Sequence, residues 1–224
     1  PCMSGIDIEK EEFNEEELGY EWNYIQVPDD SNYSLKERKG YLRLKGSDVT
    51  IKEKISFAVI EDRTPTFVGR RLQDLYFTAT TSMLFDPENE NEEAGIALVN
   101  NGSCMRMVVE KSGNERYVVV KLDFDGITYL SKKKVINNSG PVILRINGEK
   151  STLTFSCSPG NDTFENIETV NSRYLSSETV GGYTGVYAGM YSTGNGKNCK
   201  AFADYDWFEY VKNEAPEQSG GFQF

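Results

Sequence analysis

The segment GGYTGVYAGMYSTGNGKNCKAFADYDWFEY, residues 181–210, decides how this 224-residue chain is read. Two alternating runs flank a glycine-rich turn, the pattern of two neighbouring antiparallel strands. Tyr183, Tyr187 and Tyr191 fall on one parity of the first run, with Val186, Ala188 and Met190 on the other. In the second run Ala201, Ala203, Tyr205 and Trp207 oppose Phe202, Asp204, Asp206 and Phe208. Large rings interleaved with Gly and Ala suit a sheet whose inner face meets a second sheet at close range.

The same pattern continues through the rest of the chain. The alternation of Leu18, Tyr20 and Trp22 predicts a first, edge-like strand within 13–22, and a short strand lies over 40–46 between glycines. Residues 67–85 hold the longest strand signal. The carboxylate-rich DPENENEE at 86–93 reads as a hairpin tip, because 94–99 returns as a strand. Further strands are expected over 104–111, 115–123, 126–134 and 141–147, with Asn147-Gly148 as a hairpin turn into 151–158. Residues 162–180 are less regular, with room for a short helix around 172–175. Many short strands and almost no helical period predict an all-β, two-sheet antiparallel β-sandwich or jelly roll. One such domain fills residues 13–211, between an acidic tail or linker at 1–12 and a polar tail at 212–224, where Phe222 and Phe224 are free to dock.

Composition removes whole classes of function. A formal net charge of −11 leaves only Arg70-Arg71 and Lys132-Lys133-Lys134 as dense positive clusters, so nucleic acid is not an expected partner. A neutral partner such as a sugar polymer is compatible with this surface. The chain has no histidine, which removes Ser-His-Asp and Cys-His catalysis, His-based metal sites and the His proton shuttle; paired carboxylates stay open. No apolar run approaches the roughly 18 residues of a membrane span. Cys2, Cys104, Cys157 and Cys199 are too widely spaced for a zinc ribbon, so buried small apolar residues are expected, with a Cys104–Cys157 bridge as the alternative. Asn32, Asn101, Asn137 and Asn161 open Asn-X-Ser/Thr sequons, which matter only in a eukaryotic secretory pathway. The compartment is left open: extracellular, periplasmic and cytoplasmic settings all fit. The opening Pro1-Cys2-Met3 reads as a mature product or a piece of something longer.

Several stretches, in order, carry a resemblance. They are LGYEW at 18–22 with QVP at 26–28, GYLRL at 40–44, FVGRRLQ at 67–73, FTATT at 77–81, NEEAG at 91–95, YTG at 183–185 and FADYDWFEY at 202–210. Together they resemble the C-terminal concanavalin A-like β-sandwich module of glycoside hydrolase family 43 β-xylosidases and arabinofuranosidases, from about residue 13 to 210. The resemblance implies a non-catalytic accessory domain beside a catalytic five-bladed propeller. One loop of the sandwich can place an aromatic ring at the mouth of the propeller's pocket, which here points to Tyr183 next to Gly182. Substrates would be xylan- or arabinoxylan-derived oligosaccharides.

Two rival readings stand beside it. A free-standing carbohydrate-binding module would stack sugar rings on Tyr183, Tyr187, Tyr191 or Trp207. An independent sandwich-fold glycosidase would use Asp204, Asp206 and Glu209. Retaining chemistry needs carboxyls roughly 5–5.5 Å apart, and Glu209 has the wrong parity unless a bulge intervenes. Adjacent Arg70 and Arg71 point to opposite faces, so with Gln73 they suit one internal ion pair and one inter-domain contact. The acidic octet has oxygens enough for calcium but no EF-like spacing, and a solvated tip is the expected role. No catalytic residue, metal site or cofactor is therefore expected on this chain, calcium being the one ion left open.

Overall fold

The computed structural model describes residues 8–52, 63–100, 103–124, 126–137, 139–160, 163–175 and 185–216. In chain order the strands are β1 (Ile8–Glu11), β2 (Asn23–Tyr24), β3 (Tyr33–Ser34), β4 (Leu42–Lys45), β5 (Thr66–Arg71), β6 (Phe77–Leu84), β7 (Glu93–Val99) and β8 (Ser103–Ser112). They continue as β9 (Glu115–Phe124), β10 (Ile127–Leu130), β11 (Lys134–Ile136), β12 (Val142–Gly148), β13 (Thr152–Ser158), β14 (Glu165–Asn171), β15 (Tyr187–Thr193) and β16 (Phe202–Lys212). A 3-10 turn at Ser172–Tyr174 stands where the short helix was expected.

These strands form two eight-stranded antiparallel sheets packed as a sandwich. Sheet A runs β14-β13-β12-β6-β16-β4-β3, with β1 also on β16; sheet B runs β10-β9-β8-β7-β15-β5-β2, with β11 also on β9. Alternation builds sheet A: in β12 Val142, Leu144 and Ile146 are buried while Ile143, Arg145 and Asn147 are partly exposed. In β7, by contrast, every residue is buried, so that strand is covered on both faces.

Several sequence expectations change here. The two runs at 181–210 are not paired neighbours. β15 lies between β5 and β7 in sheet B, and β16 beside β6 and β4 in sheet A. The hydroxyl of Tyr205 on β16 crosses the sandwich, placed 2.8 Å from the carbonyl oxygens of Gly95 and Tyr191 in sheet B. It also accepts from the Tyr191 amide at 3.4 Å. Similarly, 67–85 is two strands in different sheets, broken at Leu72–Tyr76, and 86–93 is a sheet-to-sheet arch rather than a hairpin tip.

The two arches, 85–92 and 194–201, are laced together. Glu92 accepts from the backbone amides of Glu88, Asn89 and Lys200 at 2.7, 3.2 and 2.7 Å. Asn91 and Asn195 exchange side-chain bonds with Gly194 and Asn91 carbonyls. Glu92 is fully buried, so the acidic octet is not uniformly solvated. Among the described residues no group of three acidic or thiol side chains is arranged to hold a metal ion.

Smaller corrections have local causes. The 13–22 alternation is turn rather than strand: Phe13 takes φ +52°, Trp22 closes a turn onto the Gly19 carbonyl at 3.2 Å, and Tyr20 is fully exposed. Part of the 1–12 tail is structured instead, since Ile8–Glu11 pairs along Phe208–Val211. The expected strand 126–134 breaks at Ser131, whose hydroxyl accepts the Val120 amide at 2.9 Å. The Asn147-Gly148 hairpin forms, but its turn lies at 149–151. Gly148 stays in the strand because a Cβ there would come within 2.0 Å of the Phe77 ring. Cys104, Cys157 and Cys199 are free and buried. No Cys104–Cys157 bridge forms, because Cys157 faces the inter-sheet core while Cys104 lies in the cluster on the far side of sheet B. Phe222 and Phe224 lie outside the described residues.

Tyr205→Phe deletes the hydroxyl between the sheets and leaves its ring in place. It is expected to lower unfolding stability by about 1–3 kcal/mol in urea melts; wild-type stability would show that the cross-sheet bonds contribute nothing.

Candidate functional site

Two outer faces are available, and the candidate aromatic residues divide between them. Val186, just before β15, and Ala188 and Met190 on it enter the inter-sheet core, so Tyr187, Gly189 and Tyr191 face outward from sheet B. On β16 a bulge between Tyr205 and Trp207 shifts the register, sending Phe208 and Tyr210 inward and Trp207 outward from sheet A. Tyr187 and Trp207 therefore sit on opposite faces of the sandwich and do not form one platform. Tyr191 is fully buried, and Gly182 and Tyr183 lie outside the described residues.

Tyr187 is half-buried at the start of β15, opposite Arg71 on one side and Val99 on the other. Arg70 and Arg71 diverge as strand geometry requires. Arg70 pairs with Glu9 and sits 5.9 Å from the Trp22 ring, whereas Arg71 is exposed. Both line a cleft of about 90 Å3 with Gln73, Asp74 and Tyr210. Asp74 there accepts from the Tyr210 hydroxyl at 3.2 Å and pairs with Lys212 at 3.0 Å.

The bulge also brings Asp204 and Glu209 to the same face, as an acid pair would need. Asp204 is already committed, however: Arg43 donates two hydrogen bonds to it at 2.7 and 3.0 Å, and Arg38 one at 2.7 Å. Burial pushes its carboxyl up, but these arginines outweigh burial and hold it below the usual range. Asp206 is the bulge residue itself.

Among the described residues the most extended set of ion pairs involves residues that the sequence does not mark as a site. On the outer face of sheet B, Glu93 accepts Arg106 Nε at 3.0 Å and Lys121 Nζ at 2.6 Å. Lys121 also pairs with Glu110, and Arg106 with Asp123; Lys52 approaches Asp123 at 3.4 Å. Tyr117 donates to Glu110 at 2.8 Å, and Lys133 to Tyr117 at 3.0 Å. The ion pairs thus join three acids to three bases, with Lys133 attached through Tyr117.

The inner members of this network, Glu93, Arg106 and Asp123, are buried where residues 47–52 cross this face as a strap. Ser47 bridges Thr193, Ile51 packs with Phe67 and Tyr191, and Lys52 ends on the network. The signal in the sequence was one charge inside each apolar strand, Arg106 amid CMRMVV and Lys121 amid VVVKL. Burial pushes the Glu93 carboxyl up, yet Arg106 and Lys121 overcome it and hold it at about 2. Burial and the neighbouring Glu93 push Glu110 up, against Lys121. Both carboxylates are engaged within the protein, which suits structure rather than hydrolysis.

The family model for the β-xylosidase C-terminal concanavalin A-like domain matches residues 10–211. This chain belongs to that family. It is 32% identical over 202 residues to a non-reducing end α-L-arabinofuranosidase of Bacteroides ovatus, covering 90% of this chain and 36% of that protein. It is 26% identical to a putative β-xylosidase of Escherichia coli, covering 90% and 38%. Among solved structures, the Bacteroides ovatus protein titled Xyloglucan PUL GH43B superposes with a TM-score of 0.80 at 31% identity, over 90% of this chain and 38% of that one. A xylan β-1,4-xylosidase of Bacillus halodurans shares the fold at TM-score 0.79 and 20% identity, over 91% and 39%. The chain spans a little over a third of the length of the curated relatives it matches. Among the described residues no helix is long and apolar enough to cross a membrane.

Glu93→Gln keeps the shape of the buried acid and removes its charge. At pH 7 it is expected to cost about 3–5 kcal/mol, because Arg106 and Lys121 lose their shared partner. Glu93 is depressed in the folded state, so its contribution is present above its ordinary value of 4.5 and is lost as pH falls from there through about 2. Stability measured from pH 7 to pH 2 should fall less steeply in the variant; parallel curves would show that Glu93 is not the linked group.

Proposed function

We propose that this chain is the non-catalytic accessory module of a hemicellulose-degrading glycosidase of the β-xylosidase/arabinofuranosidase type. The observation that carries the reading is the family match over residues 10–211, set beside relatives nearly three times as long as the matched region. A catalytic five-bladed propeller, on the same polypeptide or a partner, supplies the hydrolytic carboxylates. Xylan- or arabinoxylan-derived oligosaccharides are its substrates. The module packs against the propeller and helps shape the pocket entrance through Gly182 and Tyr183.

Local geometry supports this role. The acids best placed for chemistry are committed: Asp204 to Arg38 and Arg43, and Glu93 to Arg106 and Lys121. The chain enters β15 beside Arg71, where the Leu72 amide donates to the Val186 carbonyl at 2.9 Å. Exposed Arg71 and half-buried Tyr187 therefore lie close in sequence and space to Gly185, two residues after Tyr183. A docked domain that covers this end of sheet B would meet both.

The test uses the assembled enzyme that contains this chain. Tyr183→Ala is expected to lower kcat/KM on an aryl xyloside or arabinofuranoside on the order of tenfold, or about 1.4 kcal/mol, with unfolding temperature unchanged. The isolated chain is expected to release no reducing sugar from xylo-oligosaccharides. Unaltered kcat/KM in the variant refutes the pocket role, and hydrolysis by the isolated chain refutes the accessory role altogether.

A further inference from the structure

Among the described residues, the outer face of sheet A has no strap like that of sheet B, and it carries hydrogen-bonding groups with nothing to bond. Strand register sets out its rows. Arg145 on β12 stands opposite Thr80 on β6, which stands opposite Glu209 on β16. In the adjacent rows Asn147 is opposite Thr78, and Ser82 is opposite Trp207. The side-chain atoms Thr80 Oγ1, Arg145 Nε and Asn147 Oδ1 are buried without a partner, and Thr80 is only 2% exposed. A buried polar atom left unpaired costs about 1–3 kcal/mol, so three of them on adjacent strands need a reason.

Aromatic groups lie along the same face. Trp207 is half-buried, with Lys10 5.3 Å from its ring centroid; Lys10 is itself half-exposed and held by Glu12 at 2.9 Å. Further along β16, Phe202 is 42% exposed and faces Arg43 at 4.7 Å. Phe202 borders a cleft of about 370 Å3 that also takes in Leu84, Asp86, Lys200 and Asp204. At about 3.3 Å per strand residue, and with one residue absorbed by the bulge, Phe202 to Glu209 spans roughly 20 Å. At the far side, Phe164 stacks on the Arg145 guanidinium at 3.5 Å.

We propose that this face is a contact surface for a neutral polysaccharide chain. Trp207 and Phe202 are its stacking platforms, and Thr80, Arg145 and Asn147 its hydrogen-bonding row. A sugar hydroxyl both donates and accepts, which matches a row that offers a guanidinium N–H, an amide oxygen and a hydroxyl side by side. The flat faces of sugar rings suit aromatic side chains. Asp86, Asp204 and Glu209 on the same face, with a formal charge of −11 overall, turn away a polyanion. Binding displaces the Lys10 ammonium from Trp207 and swings Phe164 off Arg145, so that the three unpaired atoms gain partners. The choice of probe rests on the glycosidase reading above, but the site lies on the other sheet from Tyr187.

Native gels containing soluble arabinoxylan, xyloglucan or mixed-linkage β-glucan test the proposal on the full chain. The wild type is expected to be retarded by at least one of them. Trp207→Ala should weaken retardation about tenfold or more. Thr80→Val should weaken it several-fold with an unfolding temperature equal to or above wild type, because it removes an unpaired hydroxyl and keeps the volume. Ile127→Ala, on exposed β10 of sheet B, should bind as wild type. Absence of retardation in all three polymers, or wild-type affinity in either Trp207→Ala or Thr80→Val, overturns the proposal. The pocket test reads turnover through Tyr183 and this one reads polymer binding through Trp207, so either can fail alone.

Discussion

A sandwich whose chain passes between sheets must hold its arches in register, and here one buried carboxylate does much of that work. Glu92 gathers amides from its own arch and from the one that ends at Lys200, more than a hundred residues later. Burial pushes its carboxyl up, but those amides and the Asn89 side chain outweigh burial and keep it charged. With the arches joined, β7 and β15 lie side by side in sheet B while β6 and β16 lie side by side in sheet A. Tyr205 then reaches across from one pair to the other. The central four strands are thus fixed by local polar bonds before the wider apolar core is counted.

Much of this was legible in the sequence, and the failures share one cause. Strand existence could be read from alternation, since burial imposes a period of two on β12 and β13. Partner choice could not. A short connection rich in Gly, Asn and Asp looks the same whether it turns back into its own sheet or arches to the other. Sequence alone therefore gives hairpins at 86–93 and at the glycine-rich turn within 181–210, where the structure has arches. Parity likewise failed at Trp207, because a single bulge residue, Asp206, reverses every orientation after it. The buried ion network was hidden for a third reason: the strap over sheet B makes an outer face into an inner one, and charged residues normally mark exposure.

The two sheets consequently present different chemistry to solvent. Sheet B pairs Glu93, Arg106, Lys121 and Asp123 with one another near residues 47–52, which also pack on a second apolar cluster around Tyr191. Among the described residues, no such segment crosses the outward Thr, Ser, Asn and Arg side chains of sheet A. The difference follows from where one connection was laid, since both sheets have the same number of strands and share a single core.

The thiols have a bearing on where such a module can operate. Burial pushes Cys104 and Cys199 up to about 12 and Cys157 up to about 11, so near neutral pH they are protonated and poor nucleophiles. None of the three contributes a cross-link whose loss would weaken the sandwich. The fold of the described residues is therefore indifferent to the redox potential around it. It owes its stability to packing and buried polar bonds that neither glutathione nor an oxidising milieu would alter.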